Sequence, residues 1–554
     1  MATSARRKTL FSFVAGLTAG AVAVAISLIL KETSGGLFLP EIASQTLFSV
    51  TPGEFESQAV QTFGPLAKYS AFIGSIIVNI IIFGIVAVFI ERVYASLKRP
   101  RYFLKALLSS ALAYTIFVII TIVLVALIQS RSGAQNVSLT GIVLSLIPAH
   151  IAFGFVYSLF FRGRTTKDSA YVPERGSDKS KSFETTDVNY SRRAFLRLVV
   201  ASAVALPIIS LGLDRIFSRQ NDLLQPSTET LPNLLPQTGP IPSGFKDPNL
   251  APILASEVTP TYLFYRIDIS PIFPEINADS WNLSVKGLVE KPTVINYDEI
   301  KSMPAVEEYA TLACISNKIG GDLIGTALWK GVHLRYILEN AGIKSNVKYI
   351  VFRCADGYDV GIPIERSLMD GTILAYDMNA APLAPKHGFP VRAIVPGLYG
   401  MMNPKWITEI ELVDSVYEGH WQRLGWANNA KYNTGSYVLI PGQAAVRQRF
   451  RNLDETQNTA YGNKVPIAGM AFGGDNGITK VEVSTDGGST WKTAQIKDPL
   501  SKYTWVLWTA GYVPSNNENY KIVVRATDKT GKVQTADMTP PFPNGATGYH
   551  SITE

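Results

Sequence analysis

Leu374-Ala375-Tyr376-Asp377-Met378-Asn379, with His387-Gly388-Phe389-Pro390-Val391-Arg392 beginning eight residues after Asn379 and Lys405-Trp406 beyond it, decides the fold of this chain. Pro385-Lys386 leads into it and Val395-Pro396-Gly397-Leu398-Tyr399-Gly400 runs through it, so histidine, arginine and lysine donors sit on glycine and proline turns. Arginine offers a planar fork of N–H donors and lysine a point charge, a combination suited to gripping a phosphate and a polar heterocycle. The plainer reading is a set of solvated loop residues, and the surroundings must decide.

Upstream, Thr311-Leu312-Ala313-Cys314-Ile315-Ser316-Asn317-Lys318-Ile319-Gly320-Gly321 is a short apolar run that breaks into a polar, glycine-containing loop. A thiol where a strand gives way to a loop can point into a cleft, although a free cysteine is more often an inert buried residue. Short β runs such as Trp281 to Gly287 and Lys348 to Arg353, with intervening helices such as Gly331 to Ala341, predict a mixed α+β domain around it.

From about Val465 the pattern changes to alternation, as in Val481-Glu482-Val483-Ser484 before the turn Asp486-Gly487-Gly488. Further strands are expected at Tyr503 to Trp508 and Tyr520 to Ala526. Short strands between Gly/Asp turns predict an all-β sandwich at the C-terminus. On the other side, prolines recur from Pro226 to Pro260 without periodicity, which reads as an extended spacer.

The N-terminal part is different in kind. Leu10 to Leu30, Ser70 to Ile90, Ala106 to Ile128 and Leu139 to Phe161 are uncharged and each long enough to cross a bilayer. A fifth stretch, Ala194 to Leu213, is marginal and carries Arg197. Basic residues cluster at Arg6-Arg7-Lys8, at Arg92 to Lys105 and at Arg162 to Lys167, alternating sides consistently, so the N-terminus is expected in the cytoplasm. The loops Lys31 to Tyr69 and Gln129 to Ser138 then face outward. Membrane topology thus accounts for much of the net charge of +7, and nucleic-acid binding is not expected.

Ser191-Arg192-Arg193-Ala194-Phe195-Leu196-Arg197 resembles the twin-arginine export signal, a route associated with proteins exported folded around a cofactor. No small-x-small cleavage site follows Leu213, so the segment is expected to remain as an anchor, with everything after about residue 216 outside the cytoplasm. Arg192 and Arg193 as mere topological charges is the plainer alternative. His150, beside Pro148, is the one histidine in an expected span, which excludes a haem held by two membrane histidines of this chain and points to an interhelical hydrogen bonder.

The expected organisation is a four-helix transmembrane domain over 1–165, a cytoplasmic linker over 166–193 and a fifth helix over 194–216. A Pro-rich extracytoplasmic linker over 217–255 leads to the α+β domain over 256–418, a connecting segment over 419–464 and the sandwich over 465–554. The 554 residues contain two cysteines and five histidines, which rules out a disulfide-dense scaffold or a four-cysteine metal site.

Together these segments, over roughly 256 to 554, resemble the sulfite oxidase family of molybdopterin enzymes. Lys318 to Trp329 with Gly331 also fits, and Ile478 to Trp491, Tyr503 to Trp508 and Arg525 to Asp528 resemble that family's immunoglobulin-like dimerisation domain. The resemblance implies a molybdenum–molybdopterin cofactor whose metal takes one protein thiolate, from Cys314. It implies that His387, Arg392 and Lys405 hold the pterin, with Asp356 and Asn317 as further cofactor contacts, and that Arg266 in Phe264-Tyr265-Arg266 lies near the metal. Cys354 matches no ligand and reads as a core thiol.

The departures concern substrate. Cys314 is followed by Ile315-Ser316-Asn317-Lys318-Ile319 where sulfite oxidases have Ala-Gly-Asn-Arg-Arg, so an anion-binding arginine is replaced by Ile319. Trp426, after His420-Trp421-Gln422-Arg423, stands where the family has a catalytic tyrosine, and Asp268 where it has a histidine. One lost contact to a buried anion costs on the order of 2–5 kcal/mol. The expectation is therefore a membrane-anchored, extracytoplasmic molybdopterin oxidoreductase of a prokaryotic envelope. It would act on a small, less charged oxo compound such as a sulfoxide rather than on sulfite.

No Cys-x-x-Cys-His haem site and no nucleotide-binding glycine loop is present, so electrons would pass to or from a separate cytochrome or quinone-linked protein. The lipid bilayer and a second copy of the chain complete the expected partners. The rival is a non-enzymatic envelope binding or adhesion protein with a vestigial cofactor domain.

Overall fold

The computed structural model describes residues 2–64, 66–95, 102–132, 139–160, 192–220, 241–247, 250, 253–254, 257–270, 272–441, 464–514 and 521–553. Ser191, most of the expected cytoplasmic linker, most of the Pro-rich linker and half of the connecting segment lie outside them. The chain divides into two compact units.

The first unit, residues 1–47, 68–128 and 136–219, is helical. Its long helices are α1 (Ala2–Ser34), α4 (Leu66–Ala95), α5 (Tyr102–Ser132), α6 (Leu139–Leu159) and α7 (Arg192–Gln220), separated early by α2 (Leu39–Val50) and α3 (Gly53–Phe63). Five stretches within them are long and apolar enough to cross a membrane: Arg6–Ser34, Leu66–Tyr94, Leu104–Ile128, Leu139–Leu159 and Phe195–Arg215. The five expected spans are therefore helices.

Small residues let the first unit's helices pack closely. A Cβ placed on Gly16 would lie 2.3 Å from that of Ala87, and one on Gly154 2.1 Å from Ser110 Oγ. His150 is buried, and its Nδ1 donates to the Leu146 carbonyl (2.6 Å) among the rings of Phe83, Phe117 and Tyr114. That bond stays within its own helix rather than crossing to another.

The second unit comprises residues 48–67, 129–135 and 220–554. Two sheets form its centre. One is mixed, in the order β2-β1-β10-β5-β6, from β1 (Asn282–Gly287), β2 (Thr293–Asn296), β5 (Tyr349–Cys354), β6 (Asp359–Pro363) and β10 (Ile407–Val413). The β1–β10 pair is parallel and the others antiparallel.

The other central sheet is antiparallel: β3 (Ala305–Ala313), β4 (Ile324–His333), β7 (Ile373–Met378) and β8 (Ala381–Pro382), with β9 (Arg392–Ile394) on β7. Gly331 belongs to β4, and the helix expected to begin there starts at Leu334. A Cβ on Gly331 would meet the Leu374 carbonyl oxygen at 2.0 Å, so only glycine lets β4 and β7 approach there.

The C-terminal region is a pair of four-stranded antiparallel sheets among the described residues. One runs β11 (Gly435–Ile440), β12 (Lys464–Phe472), β16 (Val506–Pro514), β15 (Gln495–Ile496), and the other β14 (Lys492–Thr493), β13 (Ile478–Ser484), β17 (Lys521–Asp528), β18 (His550–Thr553). They share a core of Val438, Ile467, Trp508, Val481, Val524 and neighbours. The strand expected at Tyr503 begins three residues later, because Tyr503 and Trp505 turn inward beside β3: Trp505 N–H donates to Thr311 Oγ1 (2.9 Å).

Candidate active site

β3 ends at Ala313, and the loop that follows is closed at its base by the Cys314 N–H donating to the Leu323 carbonyl (2.9 Å). Asn317 braces the loop from inside. Its N–H donates to the Cys314 carbonyl (3.1 Å) and its Oδ1 accepts from Leu323 N–H (3.1 Å). The buried Cys314 Sγ lies 2.9 Å from Ser316 Oγ.

Facing the thiol are side chains from three turns. His387 closes the short 3-10 helix Pro385–His387. Its Nε2 donates to the Thr261 carbonyl (2.9 Å), which fixes the tautomer and leaves Nδ1 as an acceptor. Burial, and then the charges of Lys386 and Lys405, hold it neutral by pushing its pKa well below the usual range. Gly388 follows at φ +112, where a Cβ would touch the side chains of Arg392 (3.0 Å) and Lys405 (3.1 Å), so this glycine lets the two cations lie side by side.

Arg392 is buried over the Trp329 ring (4.9 Å) and donates to the carbonyls of His387 (3.1 Å) and Asn403 (3.3 Å). Desolvation pushes it down to about 10. Lys405 lies over the Trp406 ring (4.5 Å) and pairs with Asp268, and burial brings it down to about 8 despite that partner. Asp356, in the turn between β5 and β6, is raised to about 7 chiefly by desolvation, against the Tyr358 N–H that donates to it (3.0 Å).

Cys314, His387, Arg392, Lys405, Asp356 and Trp426 all line one cavity. Arg266 and Asn317 do not line it. Arg266 stands behind the wall, paired with Asp268 and stacked on Phe273 (5.0 Å), so Asp268 links Arg266 to Lys405. Asp268, standing where the family has a histidine, is thus placed between two cations. Cys354 is in the core of the mixed sheet.

Sequence reasoning missed Glu56, Ser57 and Val60, which also line the cavity from α3. The stretch was expected to be a loop between two spans. It is instead a helix with Glu54 and Glu56 in its first turn, favourable near a helix N-terminus, and it stops at Gly64, where φ is +54.

Two buried donors of the cavity lining, Arg392 Nε and Trp426 Nε1, lack a hydrogen-bond partner among the described residues. Buried donors are ordinarily satisfied, so these call for an acceptor-rich guest. A soft thiolate at one place, with arginine, lysine and a neutral histidine at another, fits a metal carried on a phosphorylated heterocycle.

Comparison with known proteins agrees. Residues 270–421 match the family model for the oxidoreductase molybdopterin binding domain, and residues 443–542 that for the Mo-co oxidoreductase dimerisation domain. An uncharacterized oxidoreductase, YuiH of Bacillus subtilis, is 32% identical over 146 residues, 26% of this chain and 72% of that protein. Mitochondrial sulfite oxidase of Rattus norvegicus is 28% identical over 325 residues, 51% of this chain; the chain spans 58% of that enzyme's length. A solved structure, the sulfane dehydrogenase SoxCD from Paracoccus pantotrophus, aligns with a TM-score of 0.47 at 22% identity, covering 53% of this chain and 80% of that one. The cavity with its single thiol, the two family domains in order and the YuiH match lead to one conclusion: this chain belongs to the sulfite-oxidase-type molybdopterin oxidoreductases, whose cofactor is molybdenum–molybdopterin.

Proposed function

We propose that the chain is a membrane-anchored, extracytoplasmic oxidoreductase that performs two-electron oxygen-atom transfer on a small oxo compound other than sulfite. The observation that carries this reading is the one cavity that holds Cys314 together with His387, Arg392 and Lys405. When bound, molybdenum–molybdopterin supplies the two-electron redox chemistry.

The chain's own residues do the rest. Cys314 gives the thiolate ligand, and Asn317 positions it by closing the loop around it. Arg392 and Lys405 hold the anionic tail of the pterin, while His387 and Asp356 meet its polar ring. Arg266 acts through Asp268, which fixes Lys405. Trp426, with Ile315 beside the thiol rather than Ile319, which does not line the cavity, gives the substrate side of the chamber an apolar surface that favours weakly charged substrates over oxyanions. Five apolar helices and the basic residues flanking them support insertion with the head outside, and the dimerisation domain supports a homodimer. A separate cytochrome or quinone-linked protein exchanges the electrons.

Metal and pterin analysis of wild type and Cys314→Ser tests the reading. Molybdenum and pterin are expected in the wild type and at least about tenfold less metal in the variant, since the site would lose its one protein ligand. A wild type without molybdenum would overturn it. With an artificial electron carrier, turnover of neutral sulfoxides should exceed that of sulfite, and efficient sulfite oxidation would sink the substrate assignment. Protease added outside spheroplasts should digest the head, and its full protection would refute the topology.

A further inference from the structure

Helix α3 turns a largely polar stripe inward. Gly53, Glu56, Ser57 and Val60 recur at i, i+3, i+4 and i+7 and are its buried residues. Phe55 and Phe63 are 63% and 61% exposed, while Glu56 is 5% exposed. The helix thus turns a carboxylate and a hydroxyl inward and two phenylalanines outward.

The helix is pinned where it begins. Gly53 N–H donates to the Leu424 carbonyl (3.2 Å), and a Cβ at Gly53 would lie 2.7 Å from Trp426 Nε1 and 2.9 Å from Phe542. Trp426 in turn packs edge-on against Phe542, with centroids 5.2 Å apart. α3 therefore sits directly against the indole of the substrate side, and its next turn brings Glu56 and Ser57 to the same cavity as Cys314 and Trp421.

We propose that α3 is a wall of the reaction chamber and that Glu56, with the indoles of Trp421 and Trp426, selects oxo compounds whose oxygen is borne on a positively charged centre, such as amine N-oxides, over oxyanions. Aromatic faces and a carboxylate are the chemistry that recognises a substituted ammonium centre. The same carboxylate raises the energy of an approaching anion. This rests on the proposed function for its reaction but not for its charge selectivity, which belongs to the cavity itself.

The test uses the full-length chain grown without molybdate, in which Cys314 is a native thiol inside the chamber. Its modification by methanethiosulfonate ethylammonium and by methanethiosulfonate ethylsulfonate forms a mixed disulfide with loss of methanesulfinate in both cases. The two reagents differ in the sign of their charge. Rates are read at the Cys314 peptide by mass spectrometry, with the core thiol Cys354 as the slow internal reference. The cation-to-anion rate ratio should fall about tenfold in Glu56→Gln, and Glu56→Asp should restore it. An unchanged ratio in Glu56→Gln overturns the proposal.

In molybdenum-loaded protein, calorimetry should show trimethylamine N-oxide binding weakened about tenfold by Glu56→Gln, with sulfate binding strengthened. Equal affinities in the two proteins would also overturn it. Metal analysis reports on the proposed function separately, so an altered thiol ratio in a protein that takes up no molybdenum would sink that function and leave the charge selectivity standing.

Discussion

The cavity has two differently built sides. The anchoring side, with His387, Arg392 and Lys405, comes from about twenty consecutive residues, is held by backbone carbonyls and ion pairs, and carries the lining's arginine and lysine. The substrate side joins Ile315, Trp421, Trp426 and a helix from near the N-terminus, and Trp426 keeps an indole N–H with no partner among the described residues. The first side uses most of its donors to keep its own members in place and leaves Arg392 Nε over. The second leaves groups available to something else, and that difference separates stability from selectivity.

Cutting the anchoring side should therefore hurt the fold most. Arg392→Ala removes a buried guanidinium, opens a void against Trp329 and strips two carbonyls of their donor. A loss of about 4 kcal/mol is expected in urea unfolding, followed by tryptophan fluorescence. A loss under about 1 kcal/mol would break the comparison.

Asp356 gives the next effect, through pH in the cofactor-free chain. Its folded pKa of about 7 lies above its ordinary value, so the folded state binds the extra proton between about pH 4 and 7. Stability from this group is present in acid and is lost as pH rises toward 7. Asp356→Asn should flatten the fall by about 3 kcal/mol between pH 4 and 7.5. Parallel stability curves for the two proteins would refute the assignment.

The substrate side should respond least. Trp426→Phe keeps an aromatic ring and removes an N–H that satisfies no described acceptor, at a cost of about 1 kcal/mol for the smaller ring. Its effect should appear instead in the ratio of sulfoxide to sulfite turnover. A stability loss as large as that of Arg392→Ala would erase the distinction between the two sides.

The same contrast explains what was legible from the chain alone. His387, Arg392 and Lys405 stand in one local motif whose turns force convergence, so their grouping could be anticipated from spacing. The apolar spans announced themselves by length, and β13 and β17 by alternation. Arg266 was expected at the metal but does not line the cavity, being paired instead with Asp268, which does. α3 could not be foreseen, since its buried stripe is polar and periodicity methods look for apolar stripes. The inversion itself, Glu56 and Ser57 between Gly53 and Val60 with phenylalanines opposite, was the signal available.

A practical consequence follows from α3. Trimming the protein to a water-soluble fragment that starts after α7 would retain the whole pterin-gripping side yet discard residues 53–63. Such a truncate could load its cofactor normally and still misreport which compounds the intact enzyme accepts, because one side of its chamber would be solvent.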